Sequence, residues 1–562
     1  MSIYSKAVSG TKMFRNRFNK GYRHMFDAEF GRIYPAFSRF CLPGDVWKPG
    51  ANLLIRYQPT MAPPLTKAWA RMRYFFVPLS LVEKDIEKII TGSDQGKLIE
   101  TELPICENAL KRAKESGNSL NIAKWTLWDY FGFPTGDYSS SFSDDCLPGA
   151  YWFKGYLRCW FDYYRDENLD SDDDFDTLYD DMLKLISVWQ PAPIALHKDY
   201  FSSATPWQLK GIAPTFSIIA NNPFNAGMAP LKFNKNFEPN ETIPANWVTY
   251  KDIIQSIGGD DVSHQFSSPE SATRDSTLPG TLTNDVASLG ISPEDLNQYF
   301  NGNLGSFNAQ ELRDMFAQTR IFERLARCGS RYTEYLHSNF GIAPADGSLQ
   351  RALYLGGFKQ PIVTTEVVST ADSSNPSGTV KYPVGTLRGH GISNGGNTCK
   401  PFVCKEFGMI FGLLDIMPEL QYTQGIEREY TYKSRWDFFN PSFQNLSEQE
   451  IRNGEIFMGS DGKNDDTFGF TGIYNELRTS RDIVSGDLRD NLSYWTQAVN
   501  FSSRPNLNAN FIHSDSHLGS FMRPFVVTDT NVAKPIIVDC YNFGDCYRPM
   551  VKHSVPGLID HN

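Results

Sequence analysis

The chain has 562 residues, of which 14% are aromatic, and it carries a formal net charge of −10. An acidic chain is not typical of a protein that binds nucleic acid over its whole surface, so any such contact must be local. The 43 glycines and 33 prolines, together with the many aromatic residues, favour a β-rich protein with large loops.

The nine cysteines are scattered along the chain, without the spacing of a zinc ribbon or a disulfide framework. That pattern favours reduced thiols in a cytoplasm. No apolar run reaches the roughly 18 residues that span a bilayer, and no apolar segment follows the basic residues near the N-terminus. We therefore expect no membrane insertion, no secretory signal, and synthesis in a cytoplasm.

Residues 1–26 are basic and aromatic and contain no acidic residue. The cations of this segment are Lys6, Lys12, Arg15, Arg17, Lys20 and Arg23. Cations neutralise phosphates and aromatic rings stack on unpaired bases, so we predict a contact with single-stranded DNA. A mobile basic tail, or an arm packed on a neighbouring subunit, is the alternative, because basic runs are weakly specific.

The segment LTKAWARMRYFFVP alternates between two faces, as expected of a β-strand. Its apolar face is predicted to hold Ala68, Ala70, Met72, Tyr74 and Phe76. The opposite face carries Arg71 and Arg73 among aromatic residues. We predict that these two arginines lie at an inner surface or a subunit interface.

The segment YLRCWFDYYRDEN, residues 156–168, is predicted to be a strand that leads into an acidic loop. The loop at 170–176 does not match an EF-hand, since Phe175 and Asp181 occupy the positions that require Gly and Glu. We interpret it as a solvated acidic loop. His197, in HKDYFSSATPWQLKG, is interpreted as a structural histidine.

Residues 221–310 are acidic and rich in Asn, Ser, Thr, Gly and Pro. A polar stretch of this length between β-rich segments is predicted to be an insertion. A helix is predicted from about residue 308 to 332, with an arginine stripe far from its apolar side. The stripe consists of Arg320, Arg324, Arg327 and Arg331. We predict a subunit interface or an inner surface for it, with simple solvation as the alternative.

The chain shows no complete catalytic motif. GSDQGK at 92–97 resembles a phosphate loop, but Leu98 stands where Ser or Thr is needed. Neither H-E-x-x-H nor G-x-S-x-G occurs. His513 and His517 have i, i+4 spacing in an Asn/Ser/Gly-rich loop without an obvious third ligand. We therefore predict no enzyme activity, no metal and no cofactor.

The longest specific motif runs from Gly329 to Val363, GSRYTEYLHSNFGIAPADGSLQRALYLGGFKQPIV. Together with LLIRYQPTMAP and MRYFFVP, it resembles the major capsid proteins of the gokushovirus branch of the Microviridae, small bacteriophages with single-stranded DNA. HKDYFSS, QGIER and VSGDLRD are further similar segments. The resemblance covers nearly the whole chain except 221–310 and parts of 79–155.

The resemblance implies a mainly β fold, an eight-stranded antiparallel jelly-roll β-sandwich of the viral capsid type with long loop insertions and a few helices. We expect four parts, namely a basic arm at 1–26, a first core part at 27–220, a surface insertion at 221–310 and a second core part at 311–562. In the family the insertion projects around the three-fold axes, and host attachment is its expected role. A tolerated surface loop is the alternative.

The resemblance also implies that about sixty copies form a T=1 icosahedral shell around circular single-stranded DNA. Assembly would occur in the bacterial cytoplasm, and the product is the virion. Implied partners are an internal scaffolding protein, a small basic DNA-binding protein, a DNA pilot protein and a host cell-surface receptor. The alternatives are a secreted carbohydrate-binding jelly roll and a glycoside hydrolase, which would need paired carboxylates in a cleft.

Overall fold

The structure is a computed structural model of the full chain. It describes residues 15–83, 107–139, 146–170, 174–208, 351–368, 384–444, 448–527 and 530–553, with short segments at 86, 93–94, 97–98, 235–236, 248–249, 289–291, 313, 316–321, 370, 373–374 and 380–382. The chain divides into two compact units. One comprises Met1–Gln208 and Leu325–Asn562, and the other comprises Leu209–Arg324.

The strands of the described residues are β1 (Asn16–Asn19), β2 (Tyr22–Ala28), β3 (Ile33–Cys41), β4 (Val46–Tyr57), β5 (Ala68–Pro78), β6 (Ser93–Asp94), β7 (Lys97–Leu98), β8 (Asn121–Ile122), β9 (Gly136–Asp137), β10 (Lys235–Asn236), β11 (Val248–Thr249), β12 (Leu289–Ile291), β13 (Leu353–Val368), β14 (Ser373–Ser374), β15 (Val380–Tyr382), β16 (Leu387–Thr398), β17 (Phe402–Val403), β18 (Gly408–Pro418), β19 (Glu448–Arg452), β20 (Thr467–Gly472) and β21 (Ile536–Arg548).

The helices with defined bounds are mostly short, and they lie between residues 79 and 184, at 453–456 and between residues 509 and 522. They are α1 (Leu79–Val82), α2 (Lys111–Glu115), α3 (Leu127–Tyr130), α4 (Tyr151–Tyr163), α5 (Phe175–Lys184), α6 (Asn453–Ile456), α7 (Ala509–Ile512) and α8 (Leu518–Met522). Short 3-10 turns lie at Arg428–Thr431, Pro441–Phe443, Asn475–Leu477, Gly486–Arg489, Ser493–Trp495 and Ser514–His517.

One large antiparallel sheet organises the first unit. Its main path contains eight strands in the order β1-β21-β4-β16-β13-β5-β18-β3, while β2 also pairs with β21 and β17 with β4. Strand β13 belongs to both parts of the sheet, because residues 353–362 pair with β5 and residues 363–368 pair with β16. We call β1, β2, β21, β4, β16 and β17 half A, and β5, β18 and β3 half B.

A first hydrophobic core fills the space between the two halves. Alternate residues of β21 in half A, such as Val538 and Cys540, are fully buried in it, and so are Ile410 and Leu414 of β18 in half B. The predicted apolar face of β5 contributes Ala68, Ala70, Met72, Tyr74 and Phe76 to the same core. The alternation predicted for this strand is therefore confirmed. A large curled antiparallel sheet with few helices also confirms the predicted jelly-roll fold class.

A second core lies between half B and the helices. The other face of β18 contributes Met409, Phe411 and Leu413 to it, packed against residues of α1 to α5. Gly155 of α4 allows this close approach, since a Cβ atom there would lie 2.8 Å from Cε2 of Phe411. Strand β18 is consequently buried along its whole length, because each of its faces meets a different core.

The prediction of a strand over residues 156–168 is wrong. Most of that segment belongs to helix α4, which begins at Tyr151. The high aromatic content misled the interpretation, whereas Phe153, Tyr156 and Leu157 are buried on one side at helical i, i+3 and i+4 spacing. The period of the buried residues, not their β propensity, determines the element here.

Two further predictions fall mostly outside the described residues. The insertion at 221–310 is described only at β10, β11 and β12, which form a three-stranded sheet. Its surface role, and the division of the chain into four parts, stay predictions. The helix predicted from about 308 to 332 is described at 313 and 316–321, and these residues are helical.

Replacing Phe411 by alanine should destabilise the subunit by about 3–5 kcal/mol, because it would leave a cavity between β18 and the helices. The Phe411 ring lies 6.3 Å from the Phe131 ring and 6.1 Å from the Trp152 ring. Chemical denaturation of the purified subunit measures the change. The control is Val532→Ala, at a side chain that is 71% exposed, which should change little. Equal effects of the two variants would contradict the layered packing.

Candidate nucleic-acid interface

The outward face of half A is exposed and carries aromatic side chains. On β21 the inward residues Val538, Cys540 and Asn542 are buried, so period two turns Tyr541 and Tyr547 outward. These two tyrosines are 51% and 46% exposed. The Phe543 ring is packed edge-on against the Tyr541 ring at 5.8 Å. Such rings offer flat surfaces on which unpaired bases can stack.

Cations from β1, β2 and β4, the three strands that pair with β21, lie on the same face. Strand register places Arg17 of β1 opposite Tyr547 and Arg23 of β2 opposite Tyr541. On β4, Lys48 and Arg56 are exposed and lie on the outward side, because Trp47, Ala51, Leu53, Ile55 and Tyr57 point into the core. We call these four cations with Tyr541, Phe543 and Tyr547 the open face.

Two aspartates of β21 reduce the positive charge of the open face. Arg17 Nη2 lies 2.7 Å from Asp545 Oδ1, and Arg23 Nε donates to Asp539 Oδ1 at 2.7 Å. The bond from Arg23 lowers the pKa of Asp539. Both ion pairs are solvent-exposed, so they contribute little to stability and leave the arginines able to exchange partners. A weakly positive, aromatic surface of this kind suits a single strand of nucleic acid.

The other cations of the predicted arm are placed as follows. Lys6 and Lys12 lie outside the described residues. Arg15 Nε donates to the carbonyl of Gly44 at 2.9 Å, and the backbone N–H of Lys20 donates to Gly544. The range 1–26 therefore includes two strands of the main sheet. The DNA contact of these cations stays a prediction.

Arg71 and Arg73 lie among internal partners on the helix side of half B. Arg71 Nε lies 3.1 Å from the fully buried Asp415 Oδ2, and the Arg73 guanidinium lies 5.0 Å from the centre of the Tyr164 ring. Arg71 Nη1 donates to His197 Nδ1 at 3.1 Å. Burial, together with the nearby arginines, lowers the pKa of His197 to about 3, so the ring is neutral. This environment agrees with a structural role for His197. An interface role for the two arginines stays a prediction.

The predicted arginine stripe is described only in part. Arg320 is exposed in the helical segment 316–321. Arg324, Arg327 and Arg331 lie outside the described residues, so the stripe itself stays a prediction.

His513 and His517 have separate partners. His513 Nε2 is bonded to Asp170 Oδ1 at the start of the acidic loop, whereas His517 Nε2 donates to the carbonyl of Phe511 at 2.8 Å. Within the described ranges, no group of three or more His, Cys, Asp or Glu side chains could hold a metal ion.

No helix in the described ranges is long and apolar enough to cross a bilayer.

Sequence reasoning missed part of the open face. Lys48 and Arg56 are separated by eight positions in β4, with buried residues between them at period two. Strand β21 alternates in the same way around Tyr541 and Tyr547. This alternation could have identified the outward residues of each strand. Sequence does not show that the two strands are neighbours, because that pairing joins the first sixty residues to the last thirty.

Comparison with known proteins gives a consistent result. A family model described as "Capsid protein (F protein)" matches residues 6–558. The protein named "Capsid protein VP1" of Chlamydia phage 1 is 28% identical, over 96% of this chain and 94% of the relative. The one of Bdellovibrio phage phiMH2K is 28% identical over 97% and 96%, and the one of Spiroplasma virus 4 is 25% identical over 94% and 92%. The family predicted from the sequence is confirmed.

Replacing Lys48 and Arg56 together by glutamine should weaken binding of single-stranded DNA to the purified subunit. If each cation neutralises one phosphate, the slope of log K against log salt should fall in magnitude by about 1.4. Fluorescence anisotropy with a labelled oligonucleotide over a range of salt concentrations measures both effects. Lys111→Gln with Lys114→Gln is the matched control, because it also removes two charges and both exposed lysines lie on α2 in the helix layer. An unchanged salt slope in the double variant would argue against DNA on the open face.

The His513–Asp170 pair should stabilise the fold at low pH. The bond to Asp170 raises the pKa of His513. The stabilisation is complete below the unfolded value of about 6.5 and is lost as the pH rises through the higher folded value. The difference in unfolding free energy between wild type and His513→Gln should therefore be larger at pH 5.5 than at pH 8.5. His517→Gln should show the opposite trend, since burial lowers the pKa of His517. A pH-independent difference for His513→Gln would contradict this.

Proposed function

The chain belongs to the capsid protein (F protein) family, and from this premise we propose that its copies self-assemble into a small icosahedral shell around circular single-stranded DNA. The observation that carries the proposal is the family match over residues 6–558, which spans every strand of the large curled sheet. A capsid protein is a component of the virion. Its role is therefore structural, and we propose that it catalyses no reaction.

Two features of the fold support this role, namely its packed cores and the long connections between its strands. The two cores give the subunit a rigid body, while long connections between strands leave surface for contacts with neighbouring copies. In a closed symmetric shell each copy makes the same set of contacts, so modest interfaces become cooperative. About sixty copies, the smallest icosahedral number, suit one chain type.

The open face is the proposed contact with the genome. Its rings and cations suit single-stranded DNA, and residues 1–14, which include Lys6 and Lys12 and no acid, precede it directly in the chain. A local basic region reconciles DNA contact with the overall charge of −10.

The remaining partners are proposed from the family. We propose that residues 221–310 form an outward insertion used in host attachment, with a host cell-surface receptor as partner. An internal scaffolding protein, a small basic DNA-binding protein and a DNA pilot protein would assist assembly. A secreted carbohydrate-binding protein or a glycoside hydrolase is disfavoured by the family match across nearly the whole chain.

Sedimentation of the expressed chain tests the shell. Full-length protein, co-expressed with its phage partners, should sediment as megadalton particles that contain DNA, and a stable monomer would overturn the proposal. A variant that lacks residues 2–14 should still form particles, because β1 begins at Asn16, but should package less DNA. A deletion that reaches into β1 or β2 is unsuitable, since it would break the sheet. Unchanged DNA content in the 2–14 deletion would argue against the arm.

A further inference from the structure

Four large aromatic side chains are exposed within ten residues of one loop. Tyr430 is 76% exposed, Trp436 59%, Phe438 57% and Phe439 51%. We call these four residues the aromatic patch. A soluble monomer exposes single apolar side chains everywhere, but four exposed large rings within ten residues of the chain indicate an interaction site.

The loop that carries the patch is held in shape by its own hydrogen bonds. The Asp437 carboxylate accepts the backbone N–H groups of Lys433 at 2.9 Å and Ser434 at 2.7 Å. These bonds lower the pKa of Asp437, so its carboxylate remains charged at neutral pH. Beyond the turn, the backbone N–H of Asn440 donates to the Tyr474 hydroxyl at 3.2 Å.

Neighbouring rings fix the orientation of three patch side chains. The Phe439 ring lies 5.0 Å from the Tyr474 ring, the Phe438 ring 5.6 Å from the Tyr432 ring, and the Trp436 ring 5.9 Å from the Phe443 ring. Each of these three rings therefore packs against one neighbouring ring while more than half of its side chain remains exposed. A rigid aromatic anchor loses little conformational entropy on binding, which favours a high-affinity contact.

The net charge of the loop around the patch indicates which class of partner it binds. The charged side chains of the loop at residues 429–439 are Glu429, Lys433, Arg435 and Asp437, which balance to zero. The Arg435 guanidinium lies 4.3 Å from the centre of the Trp436 ring. A phosphate backbone needs an excess of cations, which this surface does not have. Tyr, Trp, Phe and Arg together are instead the composition of the energetic centre of a protein–protein interface.

We propose that the aromatic patch is a contact surface between two copies of this chain. The inference rests on the proposed function, because a closed shell requires every copy to bind its neighbours. Because its charges of both signs are balanced, this surface can contact another copy of the chain without net electrostatic repulsion. The four rings expose roughly 300–500 Å² of apolar surface, which is the size of a central contact within an interface of about 800 Å² per partner.

A charged double variant tests the contact. Trp436→Glu with Phe438→Glu should lower the melting temperature of the purified subunit only slightly, since both side chains are largely exposed and each loses a single ring contact. Particle yield in sedimentation should fall by about tenfold or more, because truncated or charged interface anchors weaken association by at least that factor. Val532→Glu is the matched control and should assemble normally, as it adds a charge at an exposed apolar position elsewhere. Tyr430→Glu, at the most exposed ring, replaces the double variant if that variant unfolds.

Crosslinking identifies the partner directly. A photoreactive phenylalanine analogue at position 438, in assembled wild-type particles, should yield a covalent dimer of this chain when irradiated. Normal particle yield of the double variant, or crosslinks only to a different protein or to DNA, would overturn the aromatic patch as a copy–copy contact. Failure of the wild type to assemble would instead overturn the proposed shell. In that case the absence of crosslinked dimers in concentrated subunit would overturn the patch as well.

Discussion

Burial of β18 on both faces is the constraint on which the rest of the subunit depends. This eleven-residue strand has no exposed residue, and its odd and even positions serve two different cores. Half A must therefore lie on one side of it and the helices on the other. The fold of α4 follows from this requirement, because Gly155 and its buried aromatic neighbours complete the second core against Phe411. Displacing either layer would expose a strand that has no polar face.

Buried ion pairs hold distant parts of the chain around this framework. Asp45 is fully buried and lies 2.8 Å from Arg548, and Glu29 lies 2.8 Å from Lys534. In both cases a residue near the N-terminus is paired with one near the end of the described chain. Removal of one partner from such a pair leaves an unpaired buried charge, which costs about 3–5 kcal/mol. These pairs therefore contribute most by excluding alternative registers of β21 against its neighbours.

The amount that sequence could predict differs from element to element. The alternation of β5 was readable because period two is a local property, and the family was readable from irregular motifs spread along the chain. Helix α4 was predicted wrongly, since aromatic residues favour strands unless the period of their buried positions is examined. For the open face, sequence identified Arg17 and Arg23 but missed Lys48 and Arg56. Their common surface arises only when β21 pairs with both β1 and β4. Contacts of that separation, like the Asp170–His513 pair, are a property of topology.

The position of β21 in the sheet has a consequence for the timing of biosynthesis. Within the described strands, β1 and β2 have β21 as their hydrogen-bonded neighbour, so the first strands to leave the ribosome must wait for the last. At translation rates of about 5–20 residues per second, the interval between Ala28 and Ile536 is about 25–100 s. During that time the nascent chain lacks the finished edge of half A. Completion of the surface that displays Arg17, Arg23 and the outward tyrosines is thereby tied to the synthesis of β21, so the proposed contact with the genome cannot form before that strand does.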